Sequence, residues 1–294
     1  MSAADGLAEF QPHTRYMKAL AYRMLGSRAE AEDVVQEAWL RWHGAQRTVV
    51  ENPRAFLART VTHLCLDQIK SAQVRREVYI GTWLPEPLVD AMEEYQPGPE
   101  AAHELAHDLS FAFMLALERL SPLERAAFLL HDIFGQSFAE IAATLERSEA
   151  ACRQLAARAR GKLQQQDRKA SRAPQEGERL AAAFAAAVRD GDIDALSSVL
   201  AADARFFSDG GGKVEAVPHI LFGRELVAKV ILGFSRQRPE GMQLRPATVN
   251  GLPGFVLLQA GRVIQTLALQ AGTAGEIESI YITRNPDKLQ QVAA

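Results

Sequence analysis

Between residues 103 and 107 the chain reads His-Glu-Leu-Ala-His, two histidines one helical turn apart with a glutamate placed to polarise a water, the spacing by which a helix holds a catalytic zinc. The same stretch runs on into Leu109, Phe113 and Leu117 at core-like spacing, and Glu124, which with Glu118 could complete a ligand set, has a helix-capping role. A core helix joined to a linker therefore accounts for His103 and His107 better than a metal site does. Asp209-Gly210-Gly211-Gly212-Lys213 has the glycine content of a phosphate-binding loop. It lacks the spaced first glycine and the hydroxyl residue after the lysine, where Val214 stands, and reads as a tight turn between strands. Cys65 and Cys152 are the only cysteines, far apart in helical patterns, and offer neither a disulfide framework nor a thiolate site. No catalytic residue, metal or cofactor is expected, and the chain is not read as an enzyme.

The chemistry that the residues do support is recognition of DNA. Ser121-Pro122-Leu123-Glu124 opens a helix as a capping box that Gly135 stops, Ser137-Phe138-Ala139-Glu140 opens a second, and Ser148 caps a third. On the third, Cys152, Leu155, Ala156, Ala159 and Leu163 share one face, and Ala150, Gln154, Ala157 and Gly161 share the opposite one, flanked by Arg153 and Arg158. Small residues let such a helix approach the floor of a major groove, arginines reach guanine edges or phosphates, and Gln154 reaches adenine. From Arg147 to Arg172 eight Lys or Arg stand against Glu149 and Asp167 alone. Arg147, Ser148, Arg153, Gln154 and Arg158 are the candidate DNA contacts of this segment.

Elements that must position this face follow from the pattern of the remainder. The 294 residues carry a net charge of −3 that is unevenly distributed: +2 over residues 1–79, −6 over 80–107, +2 over 108–172 and −1 over 173–294. The first segment is helical, with Ala31, Val34, Val35, Ala38, Trp39 and Trp42 on one face and a second long helix from Arg54 to about Arg76. Residues 80–107 contain Trp83-Leu84-Pro85-Glu86-Pro87 and Gln96-Pro97-Gly98-Pro99, six acids and no basic residue, and read as an acidic linker. Beyond 173 the pattern becomes mixed, with helices at 176–188, 193–200 and 225–234 and strands at 204–207, 243–249, 254–259, 263–269 and 277–283. That predicts an α+β domain with an antiparallel sheet. The absence of a long apolar run and of a signal-peptide pattern predicts a cytoplasmic protein that does not enter a membrane.

The order of parts resembles the extracytoplasmic-function group of bacterial sigma factors. Asp33-Val34-Val35-Gln36-Glu37-Ala38-Trp39-Leu40-Arg41 resembles their core-binding helix, and Asn52-Pro53-Arg54-Ala55-Phe56-Leu57 through Leu64-Cys65-Leu66-Asp67 resembles the promoter-melting and minus-ten-reading helices. Glu118 to Arg125 and Ser148 to Leu155 resemble the helix-turn-helix that reads the minus-thirty-five element. More narrowly, Trp83-Leu84-Pro85-Glu86-Pro87, Asp209-Gly210-Gly211-Gly212-Lys213 and Asn285-Pro286-Asp287-Lys288-Leu289 resemble the subgroup with a fused carboxy-terminal SnoaL-like domain. The resemblance implies two all-α sigma domains joined by the linker and followed by a cone-shaped α+β domain. It implies core RNA polymerase, through its clamp coiled coil, and promoter DNA as partners, with regulation in cis by the third domain. Asp33, Gln36 and Glu37 would face the basic clamp coiled coil. Arg59, His63, Lys70, Arg75 and Arg76 would serve the minus-ten region, His63 standing where many members carry asparagine. The three subgroup motifs would form an interdomain contact, anchored by Trp83. SnoaL-like folds also hold small ligands or move protons with a pocket Asp or His; His219, Asp209 and Asp203 are candidates for this, though turn and surface roles fit each better.

Overall fold

The computed structural model of the chain describes residues 3–45, 50, 52–77, 79–96, 108–164, 174–236 and 241–293; the side chains of residues 3–5, 71–77, 92, 174 and 175 lie outside that description. The chain divides into two compact units, Met1–Glu77 with Ala91–Asp167 and Val78–Asp90 with Arg168–Ala294.

The first unit is helical. Helices α1 (Ala3–Phe10), α2 (Thr14–Leu25), α3 (Arg28–Gly44) and α4 (Pro53–Glu77) form its first group. Ser27 caps α3 by accepting from the Glu30 N–H at 3.2 Å, and Asn52 accepts from the Ala55 N–H at 3.1 Å. Met17, Leu20, Trp42, Leu57 and Val61 are buried together with the residues expected from the α3 periodicity, except that Trp39 is only half-buried, its ring edge-on to Phe10. Arg23 is fully buried, and its Nη1 donates to the carbonyls of Ala19 at 3.1 Å and Tyr95 at 2.7 Å. Burial pulls its pKa down to about 10, so it keeps its charge at neutral pH. Tyr95, at the end of a 3₁₀ turn (Met92–Tyr95), is likewise fully buried, so this part of the acidic segment packs rather than hanging in solvent.

The second group comprises α5 (Phe111–Leu117), α6 (Pro122–Phe128), α7 (Phe138–Leu145) and α8 (Glu149–Gln164). Both capping boxes form, Ser121 with Glu124 and Ser137 with Glu140, and Ser148 accepts from the Ala151 N–H at 3.2 Å. The helix opened by Ser121 widens into a π turn (Leu129–Ile133) before Gly135, at φ +68°, ends it.

The second unit is α+β. Helices α9 (Pro174–Asp190) and α10 (Ile193–Val199) lead into β1 (Leu200–Asp209) and the short β2 (Leu221–Phe222). Helix α11 (Arg224–Arg236) crosses to β3 (Gln243–Val249), β4 (Leu252–Gln259), β5 (Arg262–Ala271) and β6 (Ile277–Thr283), and α12 (Pro286–Leu289) follows. The sheet runs β2-β1-β6-β5-β4-β3. It is mixed rather than antiparallel throughout: β6 returns between β5 and β1 and pairs parallel with β1, placing Phe206 opposite Ile280 and Asp209 opposite Thr283. Leu180, Phe184, Leu196, Val227 and Ile231 from the helices meet Phe206, Phe255, Leu267 and Ile280 in one core, the sheet-and-helix packing expected of the SnoaL-like class.

Candidate nucleic-acid interface and linker clasp

Helix α8 presents the stripe that the sequence places outward. Ala150, Gln154, Ala157 and Gly161 are exposed, and Cys152, Leu155, Ala156 and Ala159 are buried. Arg147 and Ser148 are exposed at its start. Arg153 is exposed, donates from Nη1 to Glu149 at 3.1 Å and lies 5.5 Å from the Phe138 ring centroid, so its guanidinium is held near the helix N-terminus. Arg158 differs. Its Nε donates to Glu124 Oε1 at 3.1 Å, and Lys162 Nζ donates to Oε2 at 2.7 Å. Burial alone would raise the Glu124 carboxyl; hydrogen bonds from Lys162, Ser121 and Arg158 override it and hold the pKa down at about 2. Arg158 thus has a second task, fastening α8 to the cap of α6.

Within the helical unit, α4 lies against α7. His63 Nε2 donates to the Thr144 carbonyl at 2.6 Å, and Arg59 Nη2 donates to Glu146 Oε1 at 2.9 Å. Two further contacts join the helix groups: Arg125 Nη1 donates to the Met24 carbonyl at 2.7 Å, and Gln136 donates to the Tyr16 hydroxyl at 3.1 Å. Arg59 and His63, expected at the minus-ten region, are therefore engaged inside the unit. Lys70 is exposed and paired with Asp67 at 3.2 Å; Arg75 and Arg76 occupy the last turns of α4, their side chains outside the described set.

On α3, Asp33 and Gln36 are exposed, and Glu37 is half-exposed and accepts from Arg41 at 3.0 Å. Leu40, on the same helix, is 63% exposed, an apolar side chain that charge patterning passes over.

The three subgroup motifs meet inside the α+β unit. Asp209, at the end of β1, is fully buried. Its carboxylate accepts from the Tyr79 hydroxyl at 2.5 Å, the Leu84 N–H at 2.9 Å, the Gly211 N–H at 3.0 Å and Lys288 Nζ at 2.7 Å. Lys288 Nζ also donates to the Leu84 carbonyl and lies 4.5 Å from the Trp83 ring centroid. Asn285 Nδ2 donates to the Tyr79 hydroxyl at 3.0 Å, and its Oδ1 caps α12 at the Asp287 N–H, 3.1 Å away. Burial and the adjacent Asp209 carboxylate raise the Tyr79 pKa, so the phenol stays a donor. Leu84, Pro85, Glu86 and Pro87 are buried and Trp83 is half-buried. The glycines are required by space: a side chain at Gly211, at φ +62°, would fall 2.3 Å from Asn285 Nδ2, and one at Gly210 would fall 2.5 Å from the Val214 carbonyl. Gly212 is exposed, and Lys213 pairs with Asp287 at 2.5 Å on the surface. Leu289 is buried and Pro286 exposed. Further along the segment, the Asn250 N–H donates to the Leu88 carbonyl at 2.9 Å and the Asp90 N–H to the Thr248 carbonyl at 3.0 Å, so residues 88–90 run along the end of β3. Tyr79 carries no sequence signal of its own, being a lone aromatic after a basic helix.

His103 and His107 lie outside the described residues. Among the described residues no group of three or more metal-ligating side chains comes together, and no helix is long and apolar enough to cross a membrane. Of the pocket candidates, Asp203 and His219 are exposed and Asp209 is buried in the clasp.

Residues 10–75 match the model of sigma-70 region 2 and residues 110–163 that of sigma-70 region 4. The ECF RNA polymerase sigma factor SigJ of Mycobacterium tuberculosis is 40% identical, the match covering 96% of this chain and 92% of the relative. The probable ECF RNA polymerase sigma factor SigI of the same organism is 32% identical, over 98% of this chain and 96% of its own length. The crystal structure of the Mycobacterium tuberculosis extracytoplasmic function sigma factor SigJ matches with a TM-score of 0.72 at 36% identity, covering 96% of this chain and 97% of that one. With both sigma regions matched in order and the likeness running through the third domain, the chain belongs to the extracytoplasmic-function RNA polymerase sigma factors.

Proposed function

We propose that this sigma factor is controlled in cis: the α+β domain grips residues 79–90 of the segment that joins the two promoter-reading regions, and release of that grip lets the regions part and engage a promoter. The single observation that carries this reading is the buried Asp209 carboxylate, shared between Tyr79 and Leu84 of the linker and Lys288 of the carboxy-terminal motif. A solvated tether would not bring Tyr79, Trp83 and Leu84 onto a charged buried pair. Arg59 and His63 face α7 in the clasped chain, and separation of α4 from α7 frees them for the minus-ten strand.

Core polymerase, through its basic clamp coiled coil, docks on Asp33, Gln36 and Glu37 of α3, with Leu40 as the apolar centre of the contact. Helix α8 then reads the upstream element through Arg153 and Gln154, with Arg147 and Ser148 on phosphates. The α+β domain acts here as a regulatory module without turnover, and the protein works in the cytoplasm where its polymerase is.

Asp33→Ala with Glu37→Ala is expected to weaken core binding by about 1–2 kcal/mol, roughly five- to thirtyfold, with an unchanged melting temperature. Titration of labelled core enzyme measures it, and an unaltered affinity removes this face from the contact. Arg153→Ala is expected to cost about 1–3 kcal/mol at the preferred upstream sequence and to relax the preference there. Arg158→Ala should instead lower the melting temperature through Glu124. Binding across a promoter library tells them apart: a uniform loss for Arg153→Ala with a shallower salt dependence marks a phosphate contact.

A further inference from the structure

The α+β domain holds a cavity of about 250 Å³ between its sheet and helices α9 and α11. Most of its walls are aliphatic or aromatic, with Phe184, Phe206, Phe234 and Leu267 among them. Three neutral polar side chains line it, Ser208, Ser235 and Gln265; the Ser235 hydroxyl donates to the Leu232 carbonyl at 2.9 Å, and among the described residues the side chains of the other two have no protein partner. Ser208 is only 3% exposed and its side chain lines the cavity. At the mouth stands Arg284, one Nη1 donor of which goes to the Glu215 carbonyl at 2.5 Å, while its remaining N–H groups have no partner among the described residues. The Glu215 side chain is exposed at the rim.

The cavity shares its walls with the clasp. Ser208 and Asp209 are successive residues of β1, and Arg284 and Asn285 follow one another just beyond β6. Successive strand residues point to opposite faces, so one of each pair addresses the cavity and the other the linker. The two walls are also tied by backbone: the Arg284 and Asn285 N–H groups both donate to the Asp209 carbonyl, at 2.7 and 3.0 Å.

We propose that this cavity binds a small apolar acid, a ring or short chain of roughly ten to twelve heavy atoms ending in a carboxylate, and that its occupancy is transmitted to the linker clasp through β1 and β6. The apolar walls take the body, the planar guanidinium of Arg284 and the hydroxyl of Ser208 take the carboxylate, and a neutral isostere leaves the cation unmatched. The regulatory meaning of the site rests on the cis control proposed above; the binding does not.

The test uses the full chain. Phenylbutanoate and octanoate are titrated calorimetrically, with phenylbutanol as the neutral control, and hydrogen exchange over residues 79–90 is followed with and without the acid. One acid binds per chain, and both phenylbutanol in the native chain and the acid in Arg284→Gln bind about tenfold more weakly. Ser208→Ala, which removes one hydroxyl and leaves the core intact, weakens the acid several-fold, and Leu267→Trp fills the space and abolishes binding. Protection at residues 84–88 shifts when the acid is bound. Absence of saturable binding, equal binding of acid and alcohol, or indifference to both Arg284→Gln and Ser208→Ala overturns the site, and unchanged protection with acid bound overturns the transmission. Failure of the cis control is distinct: transcription is then indifferent to Asp209→Ala while the acid still binds.

Discussion

Replacing Asp209 by alanine is expected to release residues 79–90 from the α+β domain and to raise transcription from the cognate promoter without changing which promoter is preferred. The carboxylate is fully buried and takes four hydrogen bonds, from a phenol, two backbone N–H groups and an ammonium. Truncation takes the carboxylate away from Lys288, itself mostly buried, and leaves the Leu84 N–H without its acceptor. Breaking one side of a buried ion pair costs about 3–5 kcal/mol, more than the clasp can recover from Trp83 packing on Lys288. Hydrogen exchange at residues 84–88 is the direct measurement, with protection falling toward that of an open chain. Lys288→Met in the same chain should restore part of the loss, because the buried charge goes with it, and the double-mutant cycle isolates the pair. Native-like protection in Asp209→Ala would show that Trp83 and the prolines hold the segment without the ion pair.

The second large effect is expected at Arg125. Its side chain is buried, donates to Glu118 Oε1 at 2.7 Å and reaches the Met24 carbonyl at the end of α2 at the same distance. Burial depresses its pKa only to about 10, so it bridges the two helix groups as a full cation at neutral pH. Arg125→Ala removes the buried ion pair with Glu118 and leaves the Met24 carbonyl without its donor, a loss of about 2–4 kcal/mol concentrated where the groups meet. The looser unit should expose Arg59 and His63, so affinity of the free chain for single-stranded minus-ten DNA rises as the melting temperature falls. Fluorescence anisotropy with a labelled oligonucleotide checks it; a lower melting temperature with unaltered DNA affinity would mean that α4 stays covered when the bridge is lost.

Features settled by a few neighbouring residues were legible in the chain. Ser121 with Glu124 and Ser137 with Glu140 needed only four-residue windows, and the strand at 243–249 showed in its spacing and flanking turns. What escaped was decided at a distance. The first half of β1 reads Leu-Ala-Ala-Asp-Ala, which favours helix or turn, and becomes strand because Leu200 finds Ile277 on a partner 77 positions away. The parallel register of β1 with β6 has no local trace, hence the expectation of a wholly antiparallel sheet. The meeting of the three motifs around Asp209 followed from a resemblance and from the oddity of a tryptophan in an acidic segment; Tyr79 went unseen. Arg158 looked like a groove-reading arginine because Glu124, its partner, sits 34 residues earlier, and Arg59 and His63 looked free because α7 is farther still.

The grip on residues 79–90 is made by the same polypeptide that is gripped. A separately encoded inhibitor acts in proportion to its abundance and is titrated away when the factor it restrains is overproduced. Under the cis control proposed above, the two halves meet at an effective concentration fixed by the chain between them, so the fraction of molecules released would not change with the amount of protein made. Raising expression multiplies open and closed forms alike and leaves their ratio untouched. Only something that binds one form better than the other, whether polymerase, promoter or a small molecule, moves that ratio. Under that control, synthesis would set how much of the factor the cell holds, and differential binding how much of it is working.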